Sequence, residues 1–63
     1  MFWIINLTVV TFTRRVRCLR EVFAYSAEEA ETEALAQVTG EFAAPDLVLV
    51  RAVSVHPLEM AVL

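Results

Sequence analysis

The sequence predicts a small α+β domain with the element order ββαβ, in which one helix packs on a small antiparallel sheet. Three segments rich in β-branched and aromatic residues predict the strands, and a segment rich in alanine and glutamate predicts the helix between the second and third of them. A chain of 63 residues provides one hydrophobic core, so we assign residues 1–63 to a single domain.

The first strand is predicted from Phe2 to Phe12, and alternation divides its residues between two faces. One face is wholly apolar, with Trp3, Ile5, Leu7 and Val9. The other face is half polar, with Ile4, Asn6, Thr8 and Val10.

The second strand is predicted from about Val16 to Tyr25. One face carries Val16, Cys18, Val22 and Ala24, interrupted by Arg20. Its other face carries Arg15, Arg17, Leu19, Glu21 and Phe23. The connection near Thr13 to Arg15 lacks the glycine or Asn-Gly pair of a tight hairpin, so the register stays open.

The helix is predicted from Ala27 to Thr39. Ser26 followed by Glu29 matches a capping box at its start. Gly40 is the residue type that ends helices in the left-handed conformation. The stripe predicted to face the sheet is narrow and made of small side chains, namely Ala27, Ala30, Ala34 and Val38.

The third strand is predicted from Asp46 to Pro57, since proline ends a strand of this kind. Strict alternation gives one side with Leu47, Leu49, Val53 and Val55, and another with Val48, Val50, Ala52 and Ser54. Which side faces the helix stays open. The apolar segment from Leu58 to Leu63 is a possible additional edge strand.

The chain carries more apolar surface than one helix can cover. Its composition is 59% hydrophobic and its mean hydropathy is +0.63. The first and third strands have apolar residues on both faces, which is typical of strands covered on both sides. We therefore expect a homodimer, joined through the open side of the sheet or by edge pairing. The predicted dimer surface comprises Ile4, Val10, Phe12, Val48 and Val50.

The residues that support catalysis or metal binding are few, and we expect a protein that is not an enzyme, without cofactor or metal. The lone histidine, His56, could pair with Glu59 or Asp46, but one histidine does not make a catalytic or metal site. The lone cysteine, Cys18, lies between arginines that would activate a thiol, yet strand alternation favours an inward-facing apolar role. One glycine excludes a glycine-rich phosphate loop.

Charge is separated along the sequence, with a net value of −3. A protein partner could contact either of two clusters. One is the arginine hairpin, with Arg14, Arg15 and Arg17. The other is the helix, with Glu28, Glu29 and Glu33. A nucleic-acid-binding protein that uses the arginine hairpin, with Phe12, Phe23 and Tyr25 as stacking platforms, is the alternative. The acidic balance makes that alternative weaker. A structural subunit of a larger assembly is a further one.

The apolar start, MFWIINLTVV, is too short to cross a bilayer and has no basic flank before it. We therefore expect no membrane association and a cytoplasmic protein.

The predicted helix contains the segment SAEEAETEALAQ and lies between predicted strands. This arrangement resembles that of small accessory proteins of phages and mobile elements, including anti-CRISPR proteins with one helix across a short antiparallel sheet. The resemblance is one of element order. It implies a protein that binds and blocks a larger complex of the host, and it assigns no residue.

Overall fold

A computed structural model describes residues 1–42 and 47–58, and it confirms the predicted α+β class and element order. Strand β1 spans Phe2–Thr11, β2 spans Arg15–Phe23, helix α1 spans Ala27–Glu41 and β3 spans Leu47–Pro57. The strands form one antiparallel sheet in the order β2-β1-β3, so β1 lies in the centre.

Strands β1 and β2 pair without interruption from Phe2 opposite Phe23 to Val10 opposite Arg15. This register confirms the two faces predicted for each strand. The pairing also brings the side chain of Trp3 beside the end of β2, where its indole N–H donates to the carbonyl of Ala24 at 3.1 Å.

A threonine closes the hairpin where glycine would be expected. The hydroxyl oxygen of Thr11 accepts hydrogen bonds from the backbone amides of Thr13 at 3.3 Å and Arg14 at 3.1 Å. The amide of Thr11 donates to the carbonyl of Arg14 at 2.9 Å. Side-chain bonds of this kind satisfy turn amides without a residue at positive φ.

Strand β3 departs from strict alternation because the register shifts at two points. Asn6 of β1 pairs with Ser54. The next residue of β1 pairs with Ala52, so Val53 is an extra residue in the manner of a β-bulge. A second shift leaves Val48 as an extra residue near the start of the strand.

Each bulge moves the following side chains to the other face, so both face assignments predicted for β3 were wrong. The residues that pack toward the core come from both predicted sets: Leu47, Val50, Ala52 and Val55. The predicted additional strand over Leu58 to Leu63 lies outside the described residues except for Leu58. The amide of Leu58 donates to the carbonyl of Phe2 at 2.8 Å.

Helix α1 begins as predicted. The hydroxyl of Ser26 accepts a hydrogen bond from the amide of Glu29 at 3.1 Å, which satisfies one free amide of the first turn. The predicted end was wrong. Gly40 lies inside the helix without a positive φ, and the amide of Phe42 closes the last turn on the carbonyl of Val38 at 3.0 Å. Phe42 packs against the core, which favours the two additional helical residues.

The core lies between α1 and one face of the sheet. The helix contributes Ala30, Ala34 and Val38, all fully buried. Beneath them β1 contributes Ile5, Leu7 and Val9, which are also fully buried. Ala27, predicted in the same stripe, is exposed at the helix start. Small helix side chains leave room for the larger strand residues to fill the space between the two layers.

An ion pair ties the end of the helix to the edge of the sheet. Arg20 points from β2 toward the helix side, and its guanidinium donates to a carboxylate oxygen of Glu41 at 2.7 and 3.3 Å. This hydrogen bond holds the pKa of Arg20 above its ordinary value. The positive charge lies at the negative end of the helix dipole, where the last turn carries no basic residue of its own.

Among the described residues, no helix combines the length and the apolar composition needed to cross a membrane.

Candidate functional site

The side of the sheet that faces away from α1, called the open face, is not covered by any described element. Cross-strand pairing arranges its side chains in rows. From one end to the other, the rows are Phe23–Phe2, Glu21–Ile4–His56, Leu19–Asn6–Ser54, Arg17–Thr8–Arg51 and Arg15–Val10–Leu49. Two phenylalanines therefore occupy one end of this surface, and three arginines, Arg15, Arg17 and Arg51, occupy the other end.

The aromatic end of the open face is defined by Phe2, Phe23 and Tyr25. The rings of Phe2 and Phe23 meet edge to face with centroids 5.2 Å apart, and those of Phe23 and Tyr25 do so at 6.2 Å. Their exposed fractions are 46%, 59% and 87%. Leu19, 59% exposed, lies two rows further along β2, beyond Glu21. The three rings therefore contact one another while leaving much of their area in water.

The arginine end is defined by Arg15, Arg17 and Arg51, all exposed. Arg17 and Arg51 flank Thr8 on the two neighbouring strands, so their Cα atoms lie about 10 Å apart. Arg15 lies two residues further along β2, or about 7 Å. Three guanidinium groups from two strands are therefore placed on one side of the sheet.

Two depressions cross the open face next to each other. One of about 240 Å³ lies at the arginine end and is lined by Thr8, Val10, Arg15, Leu49, Arg51 and Val53. The other, of about 220 Å³, is lined by Asn6, Leu7, Thr8, Arg17, Cys18, Val53 and Ser54. Thr8 and Val53 border both depressions. Of the residues that line the second, the amide of Asn6 donates to the hydroxyl of Ser54 at 2.9 Å.

The arginines of the arginine end have no carboxylate partner among residues 1–42 and 47–58. In that part of the chain, the one ion pair is that of Arg20 and Glu41 on the helix side. The nearest open-face carboxylate by register, Glu21, lies four residues from Arg17 along β2, or about 13 Å. The arginine end is thus a local positive surface in a chain whose net charge is −3.

The structure separates the two clusters predicted to bind a partner. Arg15 and Arg17 lie on the open face, and Arg14 lies in the exposed turn. The helix cluster, Glu28, Glu29 and Glu33, is exposed on the far side of α1. It borders a shallow depression of about 380 Å³ together with Ser26 and Thr32. The two clusters therefore present opposite charges on opposite sides of the molecule.

Sequence reasoning missed Arg51 as a member of the arginine cluster. It is distant from the hairpin in the chain, and the pairing of β3 with β1 brings it beside Thr8. The sequence did offer one signal: Arg51 follows Leu49 by two residues, and residues two apart in a regular strand lie on the same face.

Only some residues of the predicted dimer surface lie together on the open face. Ile4 and Val10 lie half-buried on the open face, Phe12 lies in the turn, and Val48 is exposed at a bulge. The placement of Val50 on that face was wrong. The bulges turn Val50 toward the helix, where it pairs with Val9 and packs against the core.

Cys18 and His56 lie apart from each other. Cys18 faces inward from β2, is half-buried and packs against the core, as alternation predicted. His56 is exposed near the end of β3, opposite Ile4. Both carboxylates suggested as its partners, Asp46 and Glu59, lie outside the described residues. Within residues 1–42 and 47–58, no three His, Cys, Asp or Glu side chains are grouped to hold a metal ion.

Comparisons with protein-family models, with curated proteins and with solved structures gave no match to this chain.

Proposed function

We propose that this protein is a non-catalytic protein-interaction module that docks a partner on the aromatic end of the open face. The observation that carries the proposal is the exposure of Phe2, Phe23 and Tyr25, whose rings form two successive edge-to-face contacts. Contiguous apolar surface of this kind marks interaction sites on folded proteins. Rings already held edge to face lose little conformational freedom on binding, which suits them as anchors of an interface.

A second copy of the chain suits this surface, and we include homodimerisation in the proposal. A two-fold axis that crosses the strands near Phe2 sets two aromatic ends face to face and directs the arginine ends in opposite directions. Thr8 is six residues from Phe2, so the two arginine ends then lie about 40 Å apart. That separation exceeds the Debye length of about 8 Å at physiological salt, so repulsion between them is screened.

Sedimentation velocity at increasing micromolar concentrations tests the proposal with two matched variants. Phe23→Glu places a charge in the aromatic end, whereas Phe12→Glu makes the same change at a phenylalanine of the turn that is 79% exposed. We expect a dimer for the wild type and for Phe12→Glu, and a monomer with an unchanged circular dichroism spectrum for Phe23→Glu. A monomeric wild type would remove the dimer from the proposal, and a dimer sensitive only to Phe12→Glu would contradict the docking site.

Inhibition of a larger host complex in the cytoplasm is the finer form of this proposal. It is supported by the resemblance to phage and mobile-element accessory proteins alone. In such a complex, the glutamates of α1 stay exposed on the far side of a dimer and can meet a basic surface. Charge reversal at Glu29 and Glu33 tests this role, because it should abolish capture of the complex while leaving the sedimentation of the free protein unchanged. Capture that survives the reversal would argue against it.

A further inference from the structure

We infer that the arginine end of the open face binds the backbone of single-stranded nucleic acid. This goes beyond the docking proposed above, because it uses the other end of the face. Arg17 and Arg51 lie on opposite sides of Thr8, with Arg15 in the next row. A ligand with one negative charge would engage only part of this array, whereas a chain of phosphates can contact several guanidinium groups at once.

The surface between the arginines suits such a chain. The two depressions of about 240 and 220 Å³ share Thr8 and Val53, so they adjoin each other along the strands. Together they offer hydroxyl and amide groups at Thr8, Asn6 and Ser54 for hydrogen bonds to phosphate and sugar oxygens. These groups carry no base specificity, so we expect weak sequence preference.

An exposed ring lies at the outer limit of the arginine end. Phe12 follows the row of Arg15 and Val10 and is 79% exposed in the turn. A cationic surface that tracks the backbone beside an aromatic side chain that stacks on bases is the combination used by single-strand binders. A single strand presents its bases for this stacking, whereas a duplex keeps them paired. A carboxylate-rich protein segment would satisfy the arginines but would leave Phe12 without a stacking partner.

The net charge of −3 does not oppose this binding. The described carboxylates of α1 lie on the other side of the sheet, and Glu21 on the open face is about 13 Å from Arg17. At a Debye length of about 8 Å, the strand would respond mainly to the local positive charge.

Fluorescence anisotropy with a labelled 15-nucleotide oligo(dT) tests the inference. If two or three phosphates are contacted, log affinity should fall with log salt concentration with a slope of about −1.4 to −2.1, from about −0.7 per contact. We expect Arg51→Gln to weaken binding roughly three- to tenfold and to reduce the slope by about one contact. Arg20→Gln removes an arginine that is paired with Glu41 on the helix side, so this variant should leave the affinity and the salt slope unchanged.

Three results would overturn the inference. They are salt-insensitive or absent binding by the wild type at low salt, an Arg51→Gln variant that binds like the wild type, and oligoglutamate of equal length competing as well as unlabelled oligo(dT). The last would mean that the surface accepts any polyanion. Phe23→Glu separates this inference from the docking proposal, because that variant should lose the dimer and keep oligo(dT) binding at each arginine end.

Discussion

Replacing Ala34 with leucine tests whether small side chains set the distance between α1 and the sheet. Ala34 is fully buried above the apolar face of β1, on which Ile5, Leu7 and Val9 are also fully buried. Leucine adds three carbon atoms at a point with no exposed surface. The same substitution at Ala36 adds these atoms to an exposed position of the same helix.

The expected loss follows from the burial of the site. Overpacking a closed core costs about 1–3 kcal/mol of unfolding free energy. A 63-residue domain has about 3–9 kcal/mol in total, so the loss is a large fraction of it. A loss of about 2 kcal/mol lowers the melting temperature by about 8–16 °C in a domain of this size. For Ala36→Leu the change should stay within about 0.5 kcal/mol, since leucine is nearly as good a helix former as alanine.

Thermal unfolding of both variants and the wild type, followed by circular dichroism at one protein concentration, measures the difference. A fixed concentration is needed because self-association would make the melting temperature concentration-dependent. Equal melting temperatures for Ala34→Leu and Ala36→Leu would refute the assignment of the buried helix face.

Three further predictions concern the ends of the elements and the thiol. Arg20→Ala and Glu41→Ala should each lower the free energy of unfolding by about 0.5–1 kcal/mol, and the double variant by little more, in urea denaturation; additive losses would mean that the pair does not interact. Ser26→Ala should cost about 1 kcal/mol by the same method, whereas Ser26→Asp should retain stability; equal losses would exclude the cap. Cys18 should react with a thiol reagent far more slowly in the native protein than in urea, and equal rates would contradict its inward position.

The elements with regular periodicity could be predicted from the sequence. The faces of β1 and β2 follow from alternation because their pairing is uninterrupted. The start of α1 follows from Ser26, whose hydroxyl bonds locally to the amide of Glu29 and needs no tertiary information. Such features depend on residues close in sequence.

The remaining features depend on contacts between distant residues. The bulges at Val48 and Val53 arise where β3 pairs with β1, and no local sequence pattern predicts them. Gly40 is an ordinary helix-ending residue, but the packing of Phe42 and the pair formed by Arg20 and Glu41 favour two more helical residues. The arginine end could be predicted only in part. Arg15 and Arg17 are close in sequence, whereas Arg51 is brought beside them by the pairing of β3 with β1.

The two bulges also make the edges of the sheet unequal as templates for strand addition. On β3 they interrupt the row of outward amides and carbonyls, so an incoming chain would meet a broken ladder. On β2 the ladder is regular over 9 residues. Charged side chains along β2 must therefore oppose the pairing of that edge with another chain. Arg15 and Arg17 have this effect whatever ligand they bind.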